Sequence, residues 1–284
     1  MEGKTCVVTG ANSGIGRVTA RALAEQGARV VLVCRSEERG VEARDAIREE
    51  TGNTQVELVL GDLAEQAGVR HVAAELLSRC PRIDVLVNNA GAYFAEHTFT
   101  TDGLERTFAL NHMGYFLLTS LLQDRIVASA PARIVNVASA AHWGAALDFD
   151  DLQWERRSYS GIRAYCTSKL MNILYTQQLA ERLEGTGVTA NSVHPGSIRT
   201  GFAVKEASWF GALVRFGGFV LRSPESGAKT SIYLASSPDV EGVTGRYFAS
   251  KKPAFSSSKA RSTELAAQLW QVSEALLRPV DTAQ

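Results

Sequence analysis

The sequence predicts an α/β fold: a doubly wound parallel sheet with helices on both faces. Three observations predict it. Short β-branched apolar runs alternate with longer helical stretches along most of the 284 residues. The runs are apolar nearly throughout rather than every second residue, as strands buried on both faces require. A glycine-rich turn closes the first run and opens the first helix. Strand–helix–strand repetition of this kind implies parallel strands joined by right-handed crossovers.

The elements follow in order. Strands are expected at Thr5–Thr9, Arg29–Cys34, Val56–Leu60, 85–87, 133–137 and 188–193. Ile15, Val18, Ala22 and Leu23 share one stripe of the first helix, which stops at Gly27. The second helix starts at Ser36, carries Glu37 and Glu38 in its first turn, and reaches Gly52. Further helices are expected over 64–79, 102–128 and 161–185. Ser223-Pro224-Glu225 reads as a helix start, with serine at the N-cap and proline at the first helical position. That helix runs to about Ala235. A last strand is expected at 245–249, a loop at 256–259, and an amphipathic helix over about 263–277, marked by Leu265, Leu269, Val272 and Leu276. No repeat or linker divides the chain, so residues 1–284 are read as one domain.

Composition narrows the function classes. Hydrophobic residues make up 45% and charged residues 21%, an ordinary globular balance. Thirty basic residues cancel thirty acidic ones, so no global charge draws the chain to nucleic acid. Cys6, Cys34, Cys80 and Cys166 lack metal-like spacing and fit a reducing, cytoplasmic compartment. No signal peptide is visible before Thr5, and no stretch reaches the ~18–20 apolar residues of a membrane span. No metal site is expected. His142 and His194 lack a third ligand at suitable spacing and read as hydrogen-bonded histidines.

The first chemical motif is Thr9-Gly10-Ala11-Asn12-Ser13-Gly14-Ile15-Gly16. Its glycines let backbone approach a pyrophosphate, and the helix that follows offers free N–H groups and the positive end of its dipole. The second strand ends in Val33-Cys34-Arg35-Ser36, without the carboxylate that binds a ribose 2′-hydroxyl in NAD-selective sites. Arg35 could pair with a 2′-phosphate instead, with Arg39 as a second contact, or be a solvated helix-start residue. Asp62, in Gly61-Asp62-Leu63, could accept from an adenine amino group or cap the next helix.

The second motif is Tyr165-Cys166-Thr167-Ser168-Lys169. Tyrosine and lysine at i and i+4 share a helix face, and an ammonium nearby favours phenolate, making the tyrosine a usable acid or base. Ser139 ends the fifth strand, Asn88-Asn89-Ala90-Gly91 the fourth and His194-Pro195-Gly196 the sixth; Asn111 lies in the helix after the fourth. These strand ends share the carboxyl edge where open parallel sheets bind ligands. Cys166 is read as packing rather than as a nucleophile. Tyr159 has Arg163, not lysine, four residues on.

With these motifs in this order, the chain resembles the short-chain dehydrogenases/reductases, a Rossmann-type family, from about Lys4 to Phe248. More narrowly it resembles the retinol dehydrogenase-like group. The stretches that carry this are Thr9–Gly16, Asn111-His112-Met113-Gly114-Tyr115-Phe116, Asp148-Phe149-Asp150-Asp151-Leu152 and His194-Pro195-Gly196-Ser197-Ile198-Arg199-Thr200, together with the long spacing from Ser139 to Tyr165. The resemblance implies an oxidoreductase interconverting carbonyl and alcohol, with Tyr165 transferring the proton and Ser139 binding the reacting oxygen. Lys169 would hold the nicotinamide ribose and lower the tyrosine pKa, and Asn111 would organise a water-linked proton path. It implies a cofactor groove of Gly10, Asn12, Ser13, Gly14, Ile15, Gly16, Arg35, Asp62, Leu63, Asn88, Ala90, Gly91, Tyr165, Lys169, Pro195, Gly196, Ile198 and Thr200; with Arg35 where NAD-selective sites have a carboxylate, NADP(H) is expected in preference to NAD(H). The substrate would be a small apolar carbonyl or alcohol such as a retinoid or lipid aldehyde; a steroid, a quinone, a small aldehyde, or a binding role without turnover are the alternatives. Residues 201–222, rich in aromatics, occupy the family's substrate-loop position and read as a lid, as core or as a peripheral membrane contact. Related retinol dehydrogenases carry an N-terminal anchor that this chain lacks, as a soluble relative or a chain starting after it would. Homo-oligomerisation stays open, and Ala138 stands where the group often has serine.

Overall fold

The structure, a computed structural model, describes residues 1–196 and 223–277. Among these, the strands are β1 (Thr5–Thr9), β2 (Arg29–Cys34), β3 (Val56–Leu60), β4 (Val85–Asn88), β5 (Ala132–Val137), β6 (Val188–His194), β7 (Tyr247–Ala249) and β8 (Lys252–Pro253). They form one sheet in the order β3-β2-β1-β4-β5-β6-β7-β8, parallel except for the antiparallel last pair. The order reverses between β1 and β4, and such a switch point opens a crevice at the carboxyl ends of the strands.

Alternate residues of β1 to β6 feed two cores. On one face Val7, Val31 and Leu86 pack with α3 (Gln66–Arg79), α4 (Gly114–Ala128) and α5 (Gly161–Arg182). On the other, Cys6, Val8 and Leu32 pack with α1 (Gly14–Glu25), α2 (Glu37–Thr51) and α6 (Pro224–Ser236). The C-terminal α7 (Thr263–Leu276) adds Trp270 to the first face, where its ring stacks on Tyr175 of α5. The caps expected from sequence form: Ser36 accepts from the Arg39 amide and Ser223 from the Ser226 amide.

Two expectations change. The helix expected over 102–128 begins later, because Gly103 adopts φ +73° and Glu105 caps the amides of Thr107 and Phe108, both at 2.8 Å. A short turn, Arg106–Phe108, then passes through a π-helical segment, Ala109–Met113, into α4. The last strand is paired with β8 in a hairpin whose turn residues, Ser250 and Lys251, both have positive φ. Among the described residues no helix is long and apolar enough to cross a membrane.

Candidate active site

The glycine turn is fixed from behind. Thr9 Oγ1 accepts from the amides of Asn89 and Ala90, both at 2.9 Å, and Asn89 Nδ2 donates to Thr9 O at 2.8 Å. These bonds tie the ends of β1 and β4 together at the switch point. A Cβ on Gly10 would lie 2.8 Å from Ala90 Cα, and one on Gly16 would lie 2.4 Å from Gly10 O. Glycine is therefore set by close approach at both. The thiol of Cys34 accepts from the backbone of Ala11 and Asn12, supporting the turn from β2. Ser13 sits at the N-cap of α1 without a side-chain cap bond, and no acid lies in the first turn with Gly14 and Ile15, so the helix end is left for an outside acceptor.

At the end of β2 Arg35 is largely exposed and faces Asp62, Nη1 to Oδ2 3.4 Å. Asp62 Oδ1 accepts from the Ala64 amide at 3.0 Å, so it closes a turn rather than capping α3, whose N-cap is Glu65. Leu63 is buried. Asn88 does not line the groove through its side chain: it is fully buried, its amide donating to Thr119 and Asn136. The neighbouring Asn89, which sequence reasoning passed over, does the work at this edge. Its signal was the Thr9 that closes the paired strand.

Ser139, Tyr165, Lys169 and Asn111 converge. Ser139 follows β5, and its hydroxyl accepts from the Ala141 amide at 3.1 Å and lies beside Tyr165. One turn of α5 separates the part-exposed Tyr165 from the buried Lys169, whose Nζ is 5.5 Å from the tyrosine ring centre. Lys169 Nζ donates to Val137 O at 3.1 Å. Asn111, in the π-helical segment, donates to Ala92 O and Ser168 Oγ and accepts from the Ala92 amide. Its side chain thus fixes the loop after Gly91. Asn111 Oδ1 and Lys169 Nζ both approach the space over Gly91, 3.1 and 3.4 Å from where a Cβ would stand.

Burial governs the protonation states. Desolvation pushes Tyr165, part-exposed as it is, up to about 12, with Ser139 acting against it, and pushes the buried Lys169 down to about 8. Desolvation disfavours both charged forms and so opposes the lowering of the tyrosine pKa expected from the lysine. Tyr165 is a phenol at neutral pH, fit to donate a proton. Burial also raises the Cys166 thiol, which leaves it no nucleophile.

Pro195 and Gly196 follow β6 at the same rim; Ile198, Thr200 and 201–222 lie outside the described residues. Tyr159 spends its hydroxyl on Phe94 O and Glu105. Among the described residues no cluster could hold a metal ion.

The family model for short chain dehydrogenase matches residues 4–210. Among curated proteins, retinol dehydrogenase 13 of Homo sapiens is 42% identical, covering 97% of this chain and 85% of that one. Retinol dehydrogenase 14 of Mus musculus is 44% identical, over 98% and 86%. Among solved structures, an uncharacterised protein from Mycobacterium paratuberculosis has a TM-score of 0.78 at 32% identity, covering 97% of this chain and 93% of that one. L-Sorbose reductase from Gluconobacter frateurii, solved with NADPH and L-sorbose, has a TM-score of 0.70 at 25% identity, over 87% and 95%.

Proposed function

The chain belongs to the short-chain dehydrogenase family, as a retinol dehydrogenase-like oxidoreductase of alcohol and carbonyl groups, and from that premise we propose that it is an NADP(H)-dependent reductase of an apolar carbonyl, retinal or a lipid aldehyde. The observation that carries the reading is the convergence of Ser139, Tyr165 and Lys169 on one rim, beside the glycine turn.

The residues present fit a dinucleotide. Gly16 packs on Gly10, and Gly10 on Ala90, too closely for any Cβ, which keeps the turn tight, and the α1 N-terminus is open for a phosphate. When bound, the nicotinamide supplies or accepts the hydride. Gly10, Asn12, Ser13, Gly14, Ile15 and Gly16 would hold its phosphates, Ala90 and Gly91 would line its path, and Lys169 would hold the nearer ribose. Asp62 and Leu63 would flank the adenine, and Pro195, Gly196, Ile198 and Thr200 the carboxamide. Preference for NADP(H) rests on Arg35, the one charged group at the end of β2, which would turn from Asp62 toward a 2′-phosphate.

In reduction Tyr165 gives its phenolic proton to the carbonyl oxygen. Ser139, whose oxygen already accepts from Ala141, keeps its own proton to donate to that oxygen as charge develops. Lys169 stabilises the phenolate that remains, and Asn111 keeps the Ala92 loop in place beside it. The retinol dehydrogenase relatives support the substrate class. Four buried, unbridged thiols support a reducing, cytoplasmic setting.

The test is NADPH oxidation with all-trans-retinal, beside NADH and a Tyr165→Phe control. Turnover should favour NADPH and fall ~10²–10⁴-fold in the variant, with NADPH binding kept. Turnover retained in Tyr165→Phe would refute the assignment of the proton donor.

A further inference from the structure

Two histidines left without a chemical role, His142 and His194, meet at one peptide. Ser139 C=O and Ala140 N–H are the two ends of the peptide unit that follows the proposed substrate-binding serine. His142 Nδ1 lies 2.8 Å from Ser139 O, and the Ala140 amide donates to His194 Nδ1 at 3.1 Å.

The partners settle the tautomers. His142 Nε2 is 3.1 Å from the Ser257 amide, which can only donate. That nitrogen is therefore bare, and the proton sits on Nδ1, pointing at the Ser139 carbonyl. His194 is the reverse: its Nδ1 receives the Ala140 N–H, so its proton sits on Nε2. His142 is 1% exposed, with its ring edge-on to Tyr247, and burial holds its pKa below the ordinary histidine value. One imidazole donates to the carbonyl and the other accepts from the amide, so rotation of this peptide would break both bonds. The peptide plane sets ψ of Ser139, and with it the aim of Oγ between Ala141 N–H and Tyr165.

We propose that His142 and His194 are positioning residues of opposite tautomer, which grip the Ser139–Ala140 peptide from its two ends and hold the Ser139 hydroxyl on the reacting oxygen. The proposal rests on the reading of Ser139 as the group that binds that oxygen. It also gives the 256–257 segment a part in the site, through the Ser257 amide.

Asparagine separates positioning from filling. Its carboxamide reaches the place of Nδ1 and can donate at 142 or accept at 194, whereas leucine fills the space with neither. His142→Leu should lower kcat ~10–100-fold with the Kd for NADPH unchanged, and His142→Asn should recover most of the loss. Because both histidines hold one peptide, the His142→Leu/His194→Leu double variant should lose less than the product of the single losses. Full kcat in His142→Leu, or no recovery in His142→Asn, overturns the proposal. Two-bond ¹H–¹⁵N NMR of the full chain, with resonances assigned from the two asparagine variants, should give Nδ1–H for His142 and Nε2–H for His194 at pH 7.5; the opposite assignment for either overturns it even if a leucine variant fails to fold. A wild-type protein that binds NADPH yet reduces no carbonyl would count against the proposed reaction, and the tautomers would then decide the grip by themselves.

Discussion

Replacing Lys169 with methionine should stabilise the fold while abolishing the reaction. The Lys169 side chain is 3% exposed and its ammonium donates to a backbone carbonyl, with burial driving its pKa from 10.5 to about 8. That fall corresponds to roughly 3 kcal/mol at neutral pH. Below pH 8 the folded and unfolded chains both carry the proton, and the folded state bears the whole cost of burying the charge. Between about pH 8 and 10.5 only the unfolded chain stays protonated, so this contribution makes stability rise with pH. Methionine has similar reach and no charge, and Val137 O keeps the Asn172 amide at 3.1 Å. Lys169→Met should therefore be about 1–3 kcal/mol more stable at pH 7, with the advantage fading toward pH 10.5. Cys6 and Cys34, pushed up to about 12 and about 11, pull the other way at high pH in both proteins, so the difference is the quantity to read. Urea unfolding followed by tryptophan fluorescence from pH 7 to 10 measures it. A variant less stable than wild type at pH 7, or a difference that ignores pH, would refute the reasoning.

Arg35→Ala should raise the Kd for NADPH ~10–100-fold, the worth of one charge-assisted bond, and leave that for NADH nearly unchanged; equal losses, read by fluorescence titration, would remove Arg35 from cofactor selection. Asp84 is 2% exposed and bonded to Lys4, Arg82 and the Thr5 amide; burial acts to raise its pKa, but these partners outweigh it and hold the carboxyl below its ordinary value. Asp84→Asn should cost about 1–2 kcal/mol at pH 7, since Lys4 and Arg82 are exposed enough to regain water. A depressed carboxylate contributes above the unfolded pKa of ~3.9 and loses its contribution as pH falls through the folded value, so the two proteins should converge in acid; parallel acid-unfolding curves would contradict this.

Strands buried on both faces are legible because their apolar runs leave no other reading, and β1 to β3 lie where the sequence places them. Serine caps at 36 and 223 are legible because the side chain that starts each helix is also its first partner. What was lost has local causes. A π-helical segment adds a residue to one turn without changing which positions are apolar, so 102–128 reads as one helix. The β7–β8 turn places Ser250 and Lys251 at φ 50° and 63°, where a hairpin usually advertises itself with Asn-Gly. In the candidate site, motif order placed Ser139, Tyr165 and Lys169 at one sheet edge, where they do come together, but not the bonds that hold them. Asn88 and Asn89 are alike in sequence; only the pleat sends one into the core and the other to the glycine turn.

The end of β5 is the common reference for the site. Lys169 and Asn172, one helical turn apart on α5, both donate to Val137 O. Two residues on, Ser139 meets Tyr165, which is one turn before Lys169 on the same helix. The next peptide is held by His142 and His194. A shift of α5 along the sheet would therefore strain the lysine and tyrosine contacts together, because both are measured from the same three residues of chain. Proton transfer needs the tyrosine and serine hydroxyls to stay within hydrogen-bond reach of one oxygen. Anchoring donor, hydrogen-bond partner and ammonium to one strand end keeps their mutual distances while the rest of the rim adapts to a substrate. The cost of burying Lys169 is then the cost of that anchor, which is why the variant that relieves it should gain stability and lose the reaction.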